Sequence, residues 1–282
     1  MTAAVEIDVL DLFPGERAAL LDLLGELSDE EWDAPTACLG WSVRDVACHL
    51  LADDVGRLSG GRDGHRNPWF GAAGEDLGSF AGLVAAIDRQ NAEWVVATKR
   101  LSPRLVTDLL RFTGDATAAY FRGLDPLATS MAVDWIGPEP APVWLDLARE
   151  YTERWTHQQH IRDAVGRPGL KERRWFGPVL ETFVRGVPRA LAGAPAEGGA
   201  VVRLDITGEA GGSWTFRLAD RWSLIAAPDP VEVTSRVVLD QDDAWRIFTN
   251  GMPFEAARRQ ADIAGDRRLG ERVLGTVSIL AA

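Results

Sequence analysis

The periodicity of the chain changes once, near residue 195, and that change limits what it can fold into. Before it, apolar residues recur at helical spacing; after it, they alternate. In PGERAALLDLLGEL (14–27), Leu20, Leu21, Leu24 and Leu27 fall on one face of a helix. Ser42 and Asp45 form a variant of the capping box, which predicts a helix from Val43 to about Leu58. A third helix is predicted over roughly 78–99. Ser102-Pro103 reads as an N-cap followed by a first-turn proline, so a fourth helix starts there, with Gly114 as a kink before Phe121. WIGPEPAP (135–142) is predicted as a loop, since its prolines exclude a helix interior. A long helix follows from Val143 to about Val165, stopped by Gly166-Arg167-Pro168, and another covers 176–191.

Beyond the Gly/Ala/Pro stretch ALAGAPAEGGA (190–200), VVRLDITG (201–208), SWTFRLA (213–219), RWSLIAA (221–227) and VEVTSRVVLD (231–240) read as strands. Asp240 caps a helix that ends at Asn250-Gly251. QADIAGD (260–266) is a short strand and 267–277 a final helix. The expected architecture is an α-helical bundle over 1–192 followed by a small α+β domain over 200–282.

Composition narrows the function. Of 282 residues, 46% are hydrophobic and 26% charged, values of a globular chain. A formal net charge of −12 argues against nucleic-acid binding, which needs a basic surface to replace phosphate counterions. No apolar run approaches the ~20 residues that span a bilayer, and the acidic N-terminus is unlike a secretory leader. Cys38 and Cys48 form no C-x-x-C pair and no disulfide framework, which predicts a reducing, cytoplasmic setting.

The chemistry concentrates in four histidines, His49, His65, His157 and His160. His157 follows Glu153 by four residues, so both side chains lie on one helix face, one turn apart. A carboxylate and an imidazole so placed make a half-site for a divalent cation, although the same spacing also suits a surface ion pair. Glu153 and His160 are about 10.5 Å apart along the axis at 1.5 Å per residue, too far to share one ion easily. A third ligand must come from another helix, and His49 is the natural candidate, with Asp45 or Asp53 able to orient it. Cys48 points about 100° away from its neighbour His49 and is set aside as ligand and nucleophile. His65 lies in a Gly-rich loop.

GWSVRDVACHL (40–50) resembles the second helix of the DinB-like metalloenzymes. EYTERWTHQQHIRDAVGRPG (150–169), with the preceding WIGPEPAPVWLDLAR (135–149), resembles the E-x-x-x-H helix of the mycothiol-dependent maleylpyruvate isomerase family. AWRIFTNGM (244–252) and IAGDRRLGERVLGTVSIL (263–280) are similar to that family's C-terminal domain, which is related to sterol-carrier-protein folds. The resemblance implies a DinB-like four-helix bundle holding a divalent metal, usually zinc, on His49, Glu153 and His157. Three protein ligands leave an open position, the mark of a catalytic zinc site. The implied activity is that of a metal-dependent transferase or cis–trans isomerase that uses mycothiol or another low-molecular-weight thiol on a small, anionic electrophile. Lower-ranked expectations are His160, Trp135 and Arg246 as substrate-binding residues, arginine being suited to carboxylates. The expected partners are the substrate and the thiol, with no nucleic acid and no membrane; monomer and homodimer both stay open. Two alternatives share these residues: a lyase or hydrolase using metal-bound water, and a small-molecule or lipid carrier acting through the C-terminal domain.

Overall fold

The structure, a computed structural model, describes residues 6–226 and 232–277. The helical part opens with α1 (Phe13–Gly25), the single turn α2 (Asp29–Trp32), α3 (Val43–Gly56), α4 (Phe80–Thr98) and α5 (Pro103–Arg122). Ser42 caps α3 as expected: its hydroxyl accepts from the backbone of Asp45, whose carboxylate accepts from the Ser42 N–H. Ser102 caps α5 with Pro103 in the first turn. Residues 57–62 continue α3 as a wider π-helical stretch. A hairpin of β1 (Thr129–Ala132) and β2 (Pro140–Pro142) then leads into the long helix α6 (Val143–Ala164). The Pro-rich stretch expected as a loop therefore contributes a short strand.

α7 (Arg173–Phe183) and α8 (Val187–Leu191), joined by one 3-10 turn, precede the sheet. Its strands are β3 (Val201–Thr207), β4 (Gly212–Leu218), β5 (Trp222–Ile225), β6 (Ser235–Asp240) and β7 (Asp262–Gly265), in spatial order β5-β4-β3-β6-β7. Only β3 and β6 run parallel. Between β6 and β7 lie α9 (Gln241–Phe248) and α10 (Phe254–Gln260), and α11 (Arg267–Leu274) follows β7. Ala227 and Val231, at the ends of two expected strands, lie outside the described residues, as do positions 278–280 of the C-terminal motif.

By contact density the chain forms two compact units that interleave along the sequence. One comprises 9–125 and 153–169; the other holds 6–8, 126–152, 170–226 and 232–277 of the described residues. α6 thus gives its first half to the unit with the sheet and its second half to the helical unit.

In the unit with the sheet, Leu204, Phe216, Val237 and Leu239 are fully or almost fully buried, and α9 and α11 pack against β6. Gly270 makes the α11 approach feasible: a Cβ there would collide with Ile263 Cγ2. In the helical unit, Leu20, Leu24, Val43, Ala47, Leu50, Leu110 and Ile161 share one apolar core.

Next to that core lies a charge cluster. Asp54, wholly buried, accepts from Arg17 through both guanidinium nitrogens at 2.6 and 3.1 Å. It also accepts from Arg154 at 2.9 Å and Thr113 at 2.7 Å. The Arg154 guanidinium lies 5.4 and 5.5 Å from the ring centres of Phe13 and Phe121. Burial alone would raise the Asp54 pKa; the two arginines outweigh it and hold the carboxyl below its usual range. α5 runs unbroken through Gly114, contrary to the expected kink. The glycine instead admits Arg17, whose Cγ and Nη1 would lie 2.9 Å from a Cβ at that position.

Asp54 joins α1, α3, α5 and α6 through a single carboxylate. Asp54→Ala strands two buried guanidinium groups, and breaking such a pair costs about 3–5 kcal/mol. Urea unfolding monitored by tryptophan fluorescence is expected to show a loss of that size, against less than about 0.5 kcal/mol for the exposed Asp108→Ala.

Candidate metal centre

α3 and the second half of α6 bring three of the expected residues together. His157 Nε2 lies 3.1 Å from Glu153 Oε1, and His49 Nε2 lies 3.7 Å from the same oxygen. One donor atom from each of His49, Glu153 and His157 falls within 4.8 Å of the others. His49 and His157 are buried and Glu153 half-buried. The His49 and His157 rings meet edge to face, 4.6 Å between centres, and Trp41 covers His49 at 5.2 Å.

The donors fit a divalent cation. Bonds of about 2.1 Å in tetrahedral geometry place neighbouring ligand atoms about 3.4 Å apart, and the two separations from Glu153 Oε1 straddle that figure. His49 is the more telling residue. Its Nε2 is 3.7 Å from both Glu153 Oε1 and Asp53 Oδ2, too long for a hydrogen bond. Its Nδ1 is buried without a hydrogen-bond partner among the described residues. A ring so placed gains an interaction when a cation lies between it and the carboxylate.

Asp53 therefore shares the Nε2 side of His49 and does not support its Nδ1. Asp45 is occupied as the cap of α3. His160, expected at substrate, is buried, with Nδ1 3.2 Å from Cys38 Sγ and 3.4 Å from His157 Nδ1. Cys38 carried no signal in the sequence, because it precedes α3 in a loop where helical spacing is uninformative. The thiol of Cys48 is buried and pushed up in pKa by that burial, in keeping with its having been set aside. Trp135 is half-buried in the turn after β1, and Arg246 on α9 donates to the Asp242 carbonyl at 2.9 Å while its guanidinium lies 4.6 Å from the Trp245 ring centre. Both belong to the unit that carries the sheet. His65 is exposed in its loop.

Without a cation the cluster is held by protons. Burial opposes a charged His157, but hydrogen bonds to Cys38 and Glu153 and the Glu153 charge outweigh it, raising the pKa from the usual 6.5 to about 10. Burial likewise disfavours the Glu153 carboxylate, and its contacts with His157 and His49 more than reverse this, lowering its pKa.

These features define a helical-bundle protein with a two-histidine, one-glutamate donor set and an appended α+β region. The family described as "Mycothiol maleylpyruvate isomerase N-terminal domain" matches residues 13–162, more than half of the chain. The chain belongs to that family and is an enzyme. Among solved structures, a histidine-to-alanine mutant of the mycothiol-dependent maleylpyruvate isomerase superposes with a TM-score of 0.53 at 11% identity, covering 90% of this chain and 91% of that one. A second structure of the mycothiol-dependent maleylpyruvate isomerase gives 0.52 at 12% identity, covering 86% and 88%. At such identities the likeness is one of fold. No curated protein sequence matches this chain. No helix among the described residues is long and apolar enough to cross a membrane.

A raised pKa in the folded state adds stability that is complete below the unfolded value and is lost as pH rises through the folded one. In chelator-treated protein, the His157 contribution is therefore full below about pH 6.5 and gone above about 10. The Glu153 contribution, of opposite sense, is present above its usual 4.5 and is lost on acidification. The difference in Tm between metal-free wild type and metal-free His157→Gln is expected to shrink steadily from pH 6.5 to 10 in differential scanning fluorimetry.

Proposed function

We propose that His49, Glu153 and His157 hold one divalent cation, with zinc the best match to two imidazoles and a carboxylate. On this reading the enzyme uses mycothiol or a similar low-molecular-weight thiol to attack a small, anionic electrophile, as an isomerase or a thiol transferase. The observation that carries it is the convergence of one donor atom each from His49, Glu153 and His157 within 4.8 Å, with His49 Nε2 3.7 Å from the Glu153 carboxylate and beyond hydrogen-bond range, in a chain of this family. A cation bound there supplies the positive charge that lowers the pKa of an incoming thiol and makes a thiolate available at neutral pH.

The chain's own residues have separable tasks. Glu153 provides the one negative charge of the donor set, and its contacts with the two imidazoles keep it ionised. Trp41 and the edge-to-face packing of His49 on His157 fix the ring planes and keep water from their faces. The three protein donors leave room for a further ligand, the place where a thiol sulfur would arrive. Asp53 stands 3.7 Å from His49 Nε2, near enough to take up the proton that the thiol releases. Arg246 and Trp135, both in the unit that carries the sheet, stay as proposed substrate-binding residues, arginine being suited to a carboxylate, and His160 supports the donor set of the other unit. When the sulfur adds to an activated double bond and leaves after rotation, the result is isomerisation; when it stays, the result is transfer.

Metal content measured by mass spectrometry is expected to be about one ion per wild-type chain and near zero in His157→Ala and Glu153→Gln, with turnover lost in both and the far-ultraviolet circular dichroism spectrum kept. Activity on cis-unsaturated dicarboxylates is expected only with mycothiol present. A full rate without any thiol would overturn the thiol reading in favour of metal-bound water. Arg246→Ala is expected to raise KM several-fold with kcat little changed, as for a group that binds ground and transition states alike. A fall in Tm without a change in KM would assign Arg246 to the packing of α9 instead.

A further inference from the structure

The side of His157 that faces away from Glu153 is itself built. A neutral imidazole carries one N–H and one lone pair. If Nε2 is to offer its lone pair toward Glu153 and His49, the proton must sit on Nδ1. A buried N–H left without an acceptor costs about 1–3 kcal/mol. His157 Nδ1 lies 3.4 Å from His160 Nδ1 and 3.9 Å from Cys38 Sγ, and these two atoms are 3.2 Å apart. All three residues are at least nine-tenths buried. The Cys38 thiol donates to His160 Nδ1, which then needs its own proton on Nε2; that uses the one lone pair of His160 Nδ1, and the Cys38 sulfur is the acceptor for His157 Nδ1–H.

Cys38 is held in place by the loop before α3. Its backbone N–H donates to Thr36 Oγ1 at 3.2 Å, and its carbonyl accepts from Trp41 N–H at 3.0 Å across a tight turn. Gly40 in that turn has φ +79°, the left-handed region that position i+2 of a type II turn requires. Thr36 Oγ1 also donates to the Trp41 carbonyl at 2.9 Å. The loop that lays Trp41 over His49 therefore also presents Cys38 to His160 and His157.

We propose that Cys38 and His160 are positioning residues for the candidate metal centre: the Cys38 sulfur, oriented by the hydrogen bond its thiol gives His160, accepts the Nδ1–H of His157 and so fixes the tautomer and ring orientation in which its Nε2 can ligate. The inference rests on the proposed metal reading. Supporting partners of this kind alter metal affinity by about 10–100-fold when removed. They need not touch thiol or substrate.

The experiment is a zinc titration of chelator-stripped full-length protein against a chromophoric competitor, repeated with Co2+ for its absorption spectrum. Cys38→Ala removes the acceptor and His160→Phe the group that orients it, whereas Cys38→Ser and His160→Gln keep a polar atom at each position. The expected result is a loss of about tenfold or more in zinc affinity for the first pair and recovery to within a few-fold for the second. The cobalt spectrum of wild type should show no sulfur-to-metal charge-transfer band. Affinity within twofold of wild type in both Cys38→Ala and His160→Phe overturns the proposal. So does an equal loss in all four variants, which would indicate packing alone. A cobalt–thiolate band that disappears in Cys38→Ser overturns it too, because Cys38 would then be a ligand. If Glu153→Gln loses zinc while Cys38→Ala and His160→Phe keep it, only the positioning role fails. If wild type takes up no metal, both readings fall.

Discussion

The Asp54 carboxylate is the point on which the helical unit depends. It receives Arg17 from α1, Thr113 from α5 and Arg154 from α6, and Asp54 itself belongs to α3. Two guanidinium groups and one carboxylate leave a surplus of positive charge, which the faces of Phe13 and Phe121 help to accommodate. Buried ion clusters add little net stability over a well-packed apolar alternative, but they specify which helices meet and at what register. That register places the site. His49 lies five residues before Asp54 on α3, and Glu153 is the immediate neighbour of Arg154 on α6. Pairing Asp54 with Arg154 therefore brings His49 opposite Glu153 and His157.

α6 serves both purposes because of its pitch. At 100° per residue, Glu153, His157 and His160 fall within one narrow arc, and Arg154, Gln158 and Ile161 within the next. Gln158 donates to Glu16 Oε1 at 2.5 Å and accepts from Arg162, which also reaches the Ala19 carbonyl at 3.2 Å. Burial raises the Glu16 pKa despite the nearby arginines, whereas at Asp54 the arginines win and lower it. The two polar clusters flank one helix, and between them Glu153 meets the imidazoles of His157 and His49. Arg154, the next residue along the helix, pairs with Asp54 at 2.9 Å. The Glu153 carboxylate meets His157 Nε2 at 3.1 Å and His49 Nε2 at 3.7 Å, where a proton on histidine or a bound cation can balance its charge.

Local signals were legible where a backbone group has a partner close in sequence. The Ser42–Asp45 capping box, the Ser102-Pro103 start of α5 and the Asp240 cap of α9 are contacts within a few residues, and each was readable. The i, i+4 pair Glu153–His157 was readable for the same reason. What the sequence concealed depends on distant partners. The parallel pairing of β3 with β6 joins residues more than thirty apart, and the hairpin β1–β2 overrides proline-rich composition. Gly114 read as a kink because a helix-interior glycine costs about 1 kcal/mol locally, yet its reason is the Arg17 side chain arriving from another helix. Arg154 and Gln158 look like solvated helix positions and are buried, since the residues that satisfy them lie on α1 and α3.

The two cysteines show the same limit within the site. Cys38 and Cys48 are the same residue type, both buried, ten residues apart and on either side of the α3 N-terminus. Cys48 sits on the helix among packing residues, its carbonyl accepts the Trp94 indole N–H at 2.8 Å, and its thiol is pushed toward inertness by burial. Cys38 sits off the helix, where a turn closed by Gly40 and Thr36 aims its sulfur at two imidazoles. Helical periodicity could place Cys48, because the angle between it and His49 follows from the pitch. Nothing periodic governs Cys38. Its direction is set by a positive φ at Gly40 and a threonine hydroxyl two residues before it, so the residue with no pattern is the one that reaches the donor set.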